Sequence, residues 1–346
     1  MLDFARLATV VQRNCDISDA RHAGDYGLCT FLLKMREFYR WEKELPLASS
    51  LPRDDLGAWL STREALWNDI EADGFSALPL EGGETEPFEA DNANRELLSR
   101  GYVYGGGYGP FHKPLFFLGR LRCVEERAGF TILISSCEYA RELAAPPAML
   151  QGRTIFLRQE SVRRFLWEKI EEWNWRKQDN AMARALASYQ FMTDAEKALD
   201  RMVGNEMETM ISHEIGEARA GELLGEAWHD VLRLTARTKA ELIARAVRDL
   251  LADCLTTLPD LIGRANLPAL HFYFATFDGA RRQLFPQATR AYEHFLKHGD
   301  LARLAEVVDE GKGRWLAVAH DVLAQSELDA AACPAAIEAL LDVQAA

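Results

Sequence analysis

The sequence lacks most of the signatures that name an activity. Its six cysteines stand apart at positions 15, 29, 123, 137, 254 and 333, with no Cys-x-x-Cys pair. A four-cysteine zinc site is therefore unsupported, and a reducing, cytoplasmic setting is expected. No apolar run approaches the ~18–20 residues that a membrane-spanning helix needs. The opening stretch MLDFARLATVVQRNCD has neither the basic start nor the apolar core of a secretory signal. Bases are outnumbered, with Lys+Arg 40 against Asp+Glu 53 and a net charge of −13, and they form no cluster. Such a surface repels a phosphate backbone, so neither nucleic acid nor a membrane is expected as a partner. No internal repeat of fixed period is present.

A phosphate-binding loop is missing too. YVYGGGYGPFHKPLFFLG contains no Gly-x-x-x-x-Gly-Lys-Ser/Thr, and its Gly-x-Gly-x-x-Gly register fails at Pro110. No nucleotide cofactor is expected. The plain reading is a flexible turn leading into a strand; the alternative is a pocket mouth lined by Tyr104, Tyr108, His112 and Lys113.

What remains is an ordinary globular chain of 346 residues, 48% apolar, long enough for a sizeable core in one large or two smaller domains. The pattern predicts an α+β, predominantly helical fold. Residues 1–100 form an N-terminal helical region, with its clearest helices at 28–45 and 56–71. The segment 74–96 holds five acids and no base between Glu81 and Asp91, and reads as a solvated acidic loop. Residues 101–159 read as a small antiparallel β region of three strands, at 115–125, 129–139 and 153–159. Residues 160–346 read as a C-terminal helical bundle.

Charge placement on the helices is more informative. Each residue of an α-helix turns about 100°, which separates acids facing water from acids facing the core. Between Asn205 and Leu224, Met207, Met210, Ile211, Ala218 and Gly221 share one arc. Glu214 falls within that arc, and Glu206, His213 and Glu217 run along its edge. Between Thr238 and Leu258, Asp253 lies inside the apolar arc with Asp249 at its edge, while Arg248 points away. Thr238 and Glu241 suggest a capping box. Glu42 falls on the apolar face of the 28–45 helix, near Phe31 and Met35. A buried carboxylate is costly unless it is paired, protonated or bound to a metal.

Two readings follow. In the first, carboxylates and a histidine from facing helices converge on an ion. The string His213-Glu214-x-x-Glu217 departs from the zinc-protease His-Glu-x-x-His by one letter, with a carboxylate in place of the second imidazole. His213, Glu217, Asp253, Asp249 and Glu42 are the candidate ligands. Glu214 is the candidate catalytic base for water activated by the ion. Asp19, Arg21 and His22, in the preceding NCDISDARHAGDYG, are candidates to bind a small polar substrate at the rim. A carboxylate-rich, thiolate-free set suits iron, manganese or zinc. In the second reading the same charges form a structural ion-pair network, with Arg21, Lys34 and Arg245 as partners, in a non-enzymatic binding or scaffold protein that meets a protein partner. Either reading is compatible with a homo-oligomer.

The strings NCDISDARHAGDYGLCTFLLKMREFYRWEKELP, SHEIGEARAGELLGEAW, AVRDLLADCLTTLP and HFYFATFDGARRQLFP resemble a bacterial family of unknown function, over most of the chain. That resemblance implies a soluble bacterial protein and carries no activity, ligand or cofactor with it.

Overall fold

The structure is a computed structural model that describes residues 2–109, 112–328 and 332–345. Pro110, where the glycine register fails, lies outside the described residues. The chain divides into two compact units, Met1–Glu171 and Glu172–Ala346. Helices dominate, and among the described residues β-structure is confined to the first unit, so the α+β, predominantly helical class holds.

In the first unit α1 (Phe4–His22), α2 (Leu28–Glu42), α3 (Arg53–Ile70) and α4 (Ala90–Leu97) accompany a short hairpin, β1 (Leu78–Leu80) and β2 (Gly83–Thr85), and a five-stranded sheet. The segment read as an acidic loop therefore holds β1, β2 and all of α4 but its last residue. Its acids stay on the wet side, while Ala90, Ala93 and Leu97 enter the core. The sheet comprises β3 (Tyr102–Tyr108), β4 (Pro114–Arg127), β5 (Phe130–Arg141), β6 (Ala148–Gln151) and β7 (Thr154–Arg158), in the order β3-β4-β5-β7-β6. All pairs are antiparallel except β5–β7. The exception arises because β6 forms the sheet edge and a tight turn at Gly152 (φ +57°) sends β7 back between β6 and β5.

Stripe residues Leu7, Val11 and Cys15 set α1 on the sheet, against Phe116 and Leu118 of β4. Asp3 caps this helix, accepting from the Arg6 amide at 3.0 Å.

The glycine-rich run is β3 itself and not a flexible turn. Its glycines allow close approach. A Cβ on Gly105 would stand 2.2 Å from the Phe117 ring. Gly106 faces the Pro87 carbonyl, and its own oxygen accepts from Gln151 Nε2 at 2.7 Å, so the two edge strands of the sheet meet through one side chain. Tyr104 is fully buried and Lys113 nearly so; neither lines a mouth.

Charges buried in this unit are held by ion pairs. Lys113 Nζ donates to Asp19 at 2.8 Å, and Arg158 donates to Glu142 and Glu138 at 2.8 and 2.6 Å. α5 (Gln159–Asn174) follows β7.

Among the described residues the second unit's regular structure is helical: α6 (Ala181–Ser188), α7 (Ala195–Leu224), α8 (Ala227–Leu234), α9 (Lys239–Ala252), α10 (Leu258–Gly263), α11 (Leu267–Thr276), α12 (Gly279–Leu284), α13 (Pro286–His298), α14 (Ala302–Ala324) and α15 (Ala332–Ala345). Its core runs through Val247, Leu250, Leu258, Phe285 and Trp315. No helix among the described residues is long and apolar enough to cross a membrane.

Because Phe117 fills the space beside Gly105, Gly105→Ala should destabilise the protein by about 1–3 kcal/mol, read as a lower urea midpoint with unchanged slope.

Candidate metal centre

α7 is the longest helix of the second unit. Asp194 caps it, accepting from the Lys197 amide at 3.1 Å. Met207, Ile211 and Ile215 bury its inner face. About two turns before the helix ends at Leu224, Gly216 crosses the region where α9 ends. A Cβ there would lie 2.6 Å from the Ala252 carbonyl oxygen, so only hydrogen permits the approach. Thr256 Oγ1 fastens the crossing by donating to the Ser212 carbonyl at 2.7 Å.

The partner segment is irregular. Between α9 and α10, residues Asp253–Thr257 form one turn of π-helix, and the Leu258 amide donates back to the Asp253 carbonyl. Pro259 explains the widening: it has no N–H, and its ring would press on the carbonyl four residues earlier in a regular helix. Such turns recur at functional sites. At the other end of α9 the expected capping box is half made. Glu241 reaches back, but to the Arg237 amide at 2.8 Å, while the Thr238 hydroxyl donates to the Thr235 carbonyl.

This crossing brings together four of the residues singled out in the sequence. His213 Nδ1 lies 2.9 Å from Asp253 Oδ1, and His213 Nε2 lies 3.5 Å from Glu217 Oε1. Ligand atoms of His213, Glu217 and Asp249 all lie within 4.8 Å of one another, the one such group of histidine, cysteine and carboxylate side chains among the described residues. Asp253 is only 1% exposed and sits behind the histidine, not beside the other two. Its other oxygen accepts from Tyr273 Oη at 2.8 Å and faces Arg281 Nη1 at 3.4 Å. Arg248 Nη2 donates to Glu217 Oε2 at 2.6 Å.

Charge follows geometry. Burial alone would depress the His213 pKa, but Asp253 and Glu217 outweigh it and hold the imidazolium well above its usual range. Burial would likewise raise Glu217 and Asp253; His213 with Arg248, and His213 with Arg281, keep both ionised below the usual carboxylate range. Burial and the Glu217 charge push Glu214 up to about 7 and Asp249 up to about 6. A cluster whose imidazole and carboxylates compete for protons can exchange them for a cation.

Other candidates lie elsewhere. Glu42 belongs to the first unit, where it meets Arg63, accepts from Trp59 Nε1 at 2.9 Å and lies 3.5 Å from Lys43. Asp19, besides holding Lys113, accepts from the Leu143 amide at 2.6 Å. Arg21 donates to the carbonyls of Glu71 and Asp73, and His22 pairs with Asp25 at 3.0 Å. These groups brace the first unit. Arg21, Lys34 and Arg245 are not the partners of the clustered acids: Lys34 faces Glu168 and Arg245 bonds Glu241. Arg248, Arg281 and Tyr273 were missed. Arg248 points away on a helical wheel, yet its long stem swings the guanidinium back to Glu217. Tyr273 and Arg281 stand in LHFYFATFDGARRQLFP, a run with polar tips among aromatics, which was the available signal.

Models of a family of unknown function, DUF6866, match nearly the whole chain, its N-terminal domain over residues 6–158 and its C-terminal domain over residues 163–344. The chain belongs to that family. No curated protein and no solved structure matches it. His213, Glu217, Asp249 and Asp253 all fall within the DUF6866 C-terminal domain.

Glu206, on the same edge of α7 as His213, is buried, and its Oε1 has no hydrogen-bond partner among the described residues. Burial raises its pKa well above 4.5, so the folded protein holds it protonated while the unfolded chain ionises it near 4.5. Its stabilising contribution is complete below that value and is lost as pH rises. Glu206→Gln should therefore be more stable than the parent at pH 8, with the gap closing as pH falls toward 4.5, measured by thermal melts across pH.

Proposed function

We propose that the second unit binds one divalent metal ion through His213, Glu217 and Asp249 and uses it for hydrolysis of a small polar substrate. The supporting observation is the convergence of three ligand atoms within 4.8 Å, backed by a carboxylate on the far nitrogen of the histidine. That backing is the arrangement by which metal-ligating histidines are oriented. One imidazole with two carboxylates and no thiolate fits manganese, iron or zinc. When bound, the ion supplies a Lewis acid.

The protein groups divide the remaining work. Asp253 accepts a hydrogen bond from Nδ1–H, which would leave Nε2 as the nitrogen that holds the ion. Arg248 occupies one oxygen of Glu217, leaving Oε1 turned toward the imidazole. Glu214 is one residue from His213 and feels the charges of Glu217, Arg248 and Asp249. It takes a proton from the attacking water and returns it to the leaving group, so the reaction consumes one water and no oxidant.

A second reading has its own observation. Arg248 meets Glu217 and Arg281 faces Asp253, which is how a purely structural ion network neutralises itself. The two readings separate on elemental analysis of protein purified without added metal. The metal reading expects about one manganese, iron or zinc per chain, retained in Glu42→Gln and lost in His213→Ala and Asp249→Asn. Asp253→Asn should weaken binding roughly 10–100-fold. Metal-free parent protein, combined with early melting of these variants, would establish the structural network instead.

A further inference from the structure

The candidate ligands form the middle of a longer chain of contacts. It runs from Arg281 through Asp253, His213 and Glu217 to Arg248. One guanidinium therefore stands at each end of the cluster, one anchored on the Nδ1 side of the imidazole and one on the Nε2 side. Neither is used up by its anchor. Arg248 bonds Glu217 through Nη2, while its Nε is buried without a hydrogen-bond partner among the described residues. Arg281 is held loosely, at 3.4 Å from Asp253 and 3.2 Å from the Thr276 carbonyl, both near the outer limit of a hydrogen bond. Both side chains keep partial exposure, 20% and 25%, alongside His213 at 26% and Glu217 at 21%, whereas Asp253 forms the closed floor at 1%. The imidazole, the Glu217 carboxylate and both arginine side chains thus keep some access to solvent, while Asp253 does not.

We infer that the substrate of this centre carries a phosphoryl group, seated between the ion and the guanidinium groups of Arg248 and Arg281. The inference rests on the metal reading above. Guanidinium forks suit oxyanions, and charge-assisted bonds of this kind are about twice as strong as neutral ones. A phosphoryl group offers three peripheral oxygens, one for each cationic partner, where a carboxylate offers two. A cationic substrate would meet two arginines and a dication at the opening.

The test titrates inorganic phosphate into the full-length protein loaded with Mn2+, by calorimetry, with Asp249→Asn as the blank and acetate as the carboxylate probe. Phosphate should bind about tenfold or more tighter than acetate. Arg281→Gln should lose about tenfold or more of that affinity, with Arg281→Lys losing less. Arg281→Lys, which keeps a positive charge beside Asp253, should leave Mn2+ binding and the melting temperature close to those of the parent. If the parent protein binds no Mn2+, the metal reading fails and takes this inference with it. Mn2+ bound normally, with phosphate no better than acetate or unaffected by Arg281→Gln, overturns the inference alone. Should Arg281→Gln melt early, the comparison passes to Arg281→Lys, where an affinity equal to that of Arg281→Gln would point to a structural role and overturn it as well.

Discussion

The bond between His213 and Asp253 is the contact on which the second unit's unusual chemistry depends. It joins α7 to the π-turn, and it forms only because three local features agree. Gly216 lets the two backbones approach, Pro259 forces the helix to widen, and the widened turn begins at Asp253. Replacing an apolar contact here with an ionic one is costly in a low-dielectric interior, since each charge must be stripped of water. The cost is offset by saturation: Asp253 engages His213, Tyr273 and Arg281 at once. A carboxylate so occupied cannot also serve as a ligand, which leaves Asp249, one helical turn earlier, to complete the group with Glu217 and His213.

The two units use buried charge differently. In the first, Asp19 meets Lys113 and a backbone amide, and Arg158 bridges Glu138 and Glu142. Asp19 has its own cation there and Glu138 and Glu142 share one, and together these contacts tie α1 and the sheet to their neighbours. In the second, His213, Glu217, Asp249 and Asp253 share two arginines. Burial first, and then the neighbouring Glu217 charge, make Glu214 and Asp249 resist ionisation.

Much of this was legible beforehand. The helical class, the β4–β5 hairpin and the inward direction of Asp253 follow from periodicities of 3.6 and 2, which depend only on local backbone geometry. His213 and Glu217, four residues apart on one helix, are necessarily neighbours. The β3 strand was not legible, because its glycines carry no side chain to alternate, and their purpose lies in Phe117 and Gln151, residues distant in sequence. Nor was β7's parallel partner, since strand order is a property of the whole sheet. Glu42 shows the limit of the wheel: an inward direction says that an acid needs a partner, not which one, and its partner is Arg63.

The sequence by itself determined which side chains had to leave water, since a helix face is set by spacing alone. Tertiary structure decided what each of them met there. Whether an inward acid becomes a ligand, a histidine's anchor or half of an ion pair turns on ångström-scale crossings such as the one at Gly216. Spacing along a chain contains no information about distances between helices, and coordination and hydrogen bonding are functions of those distances.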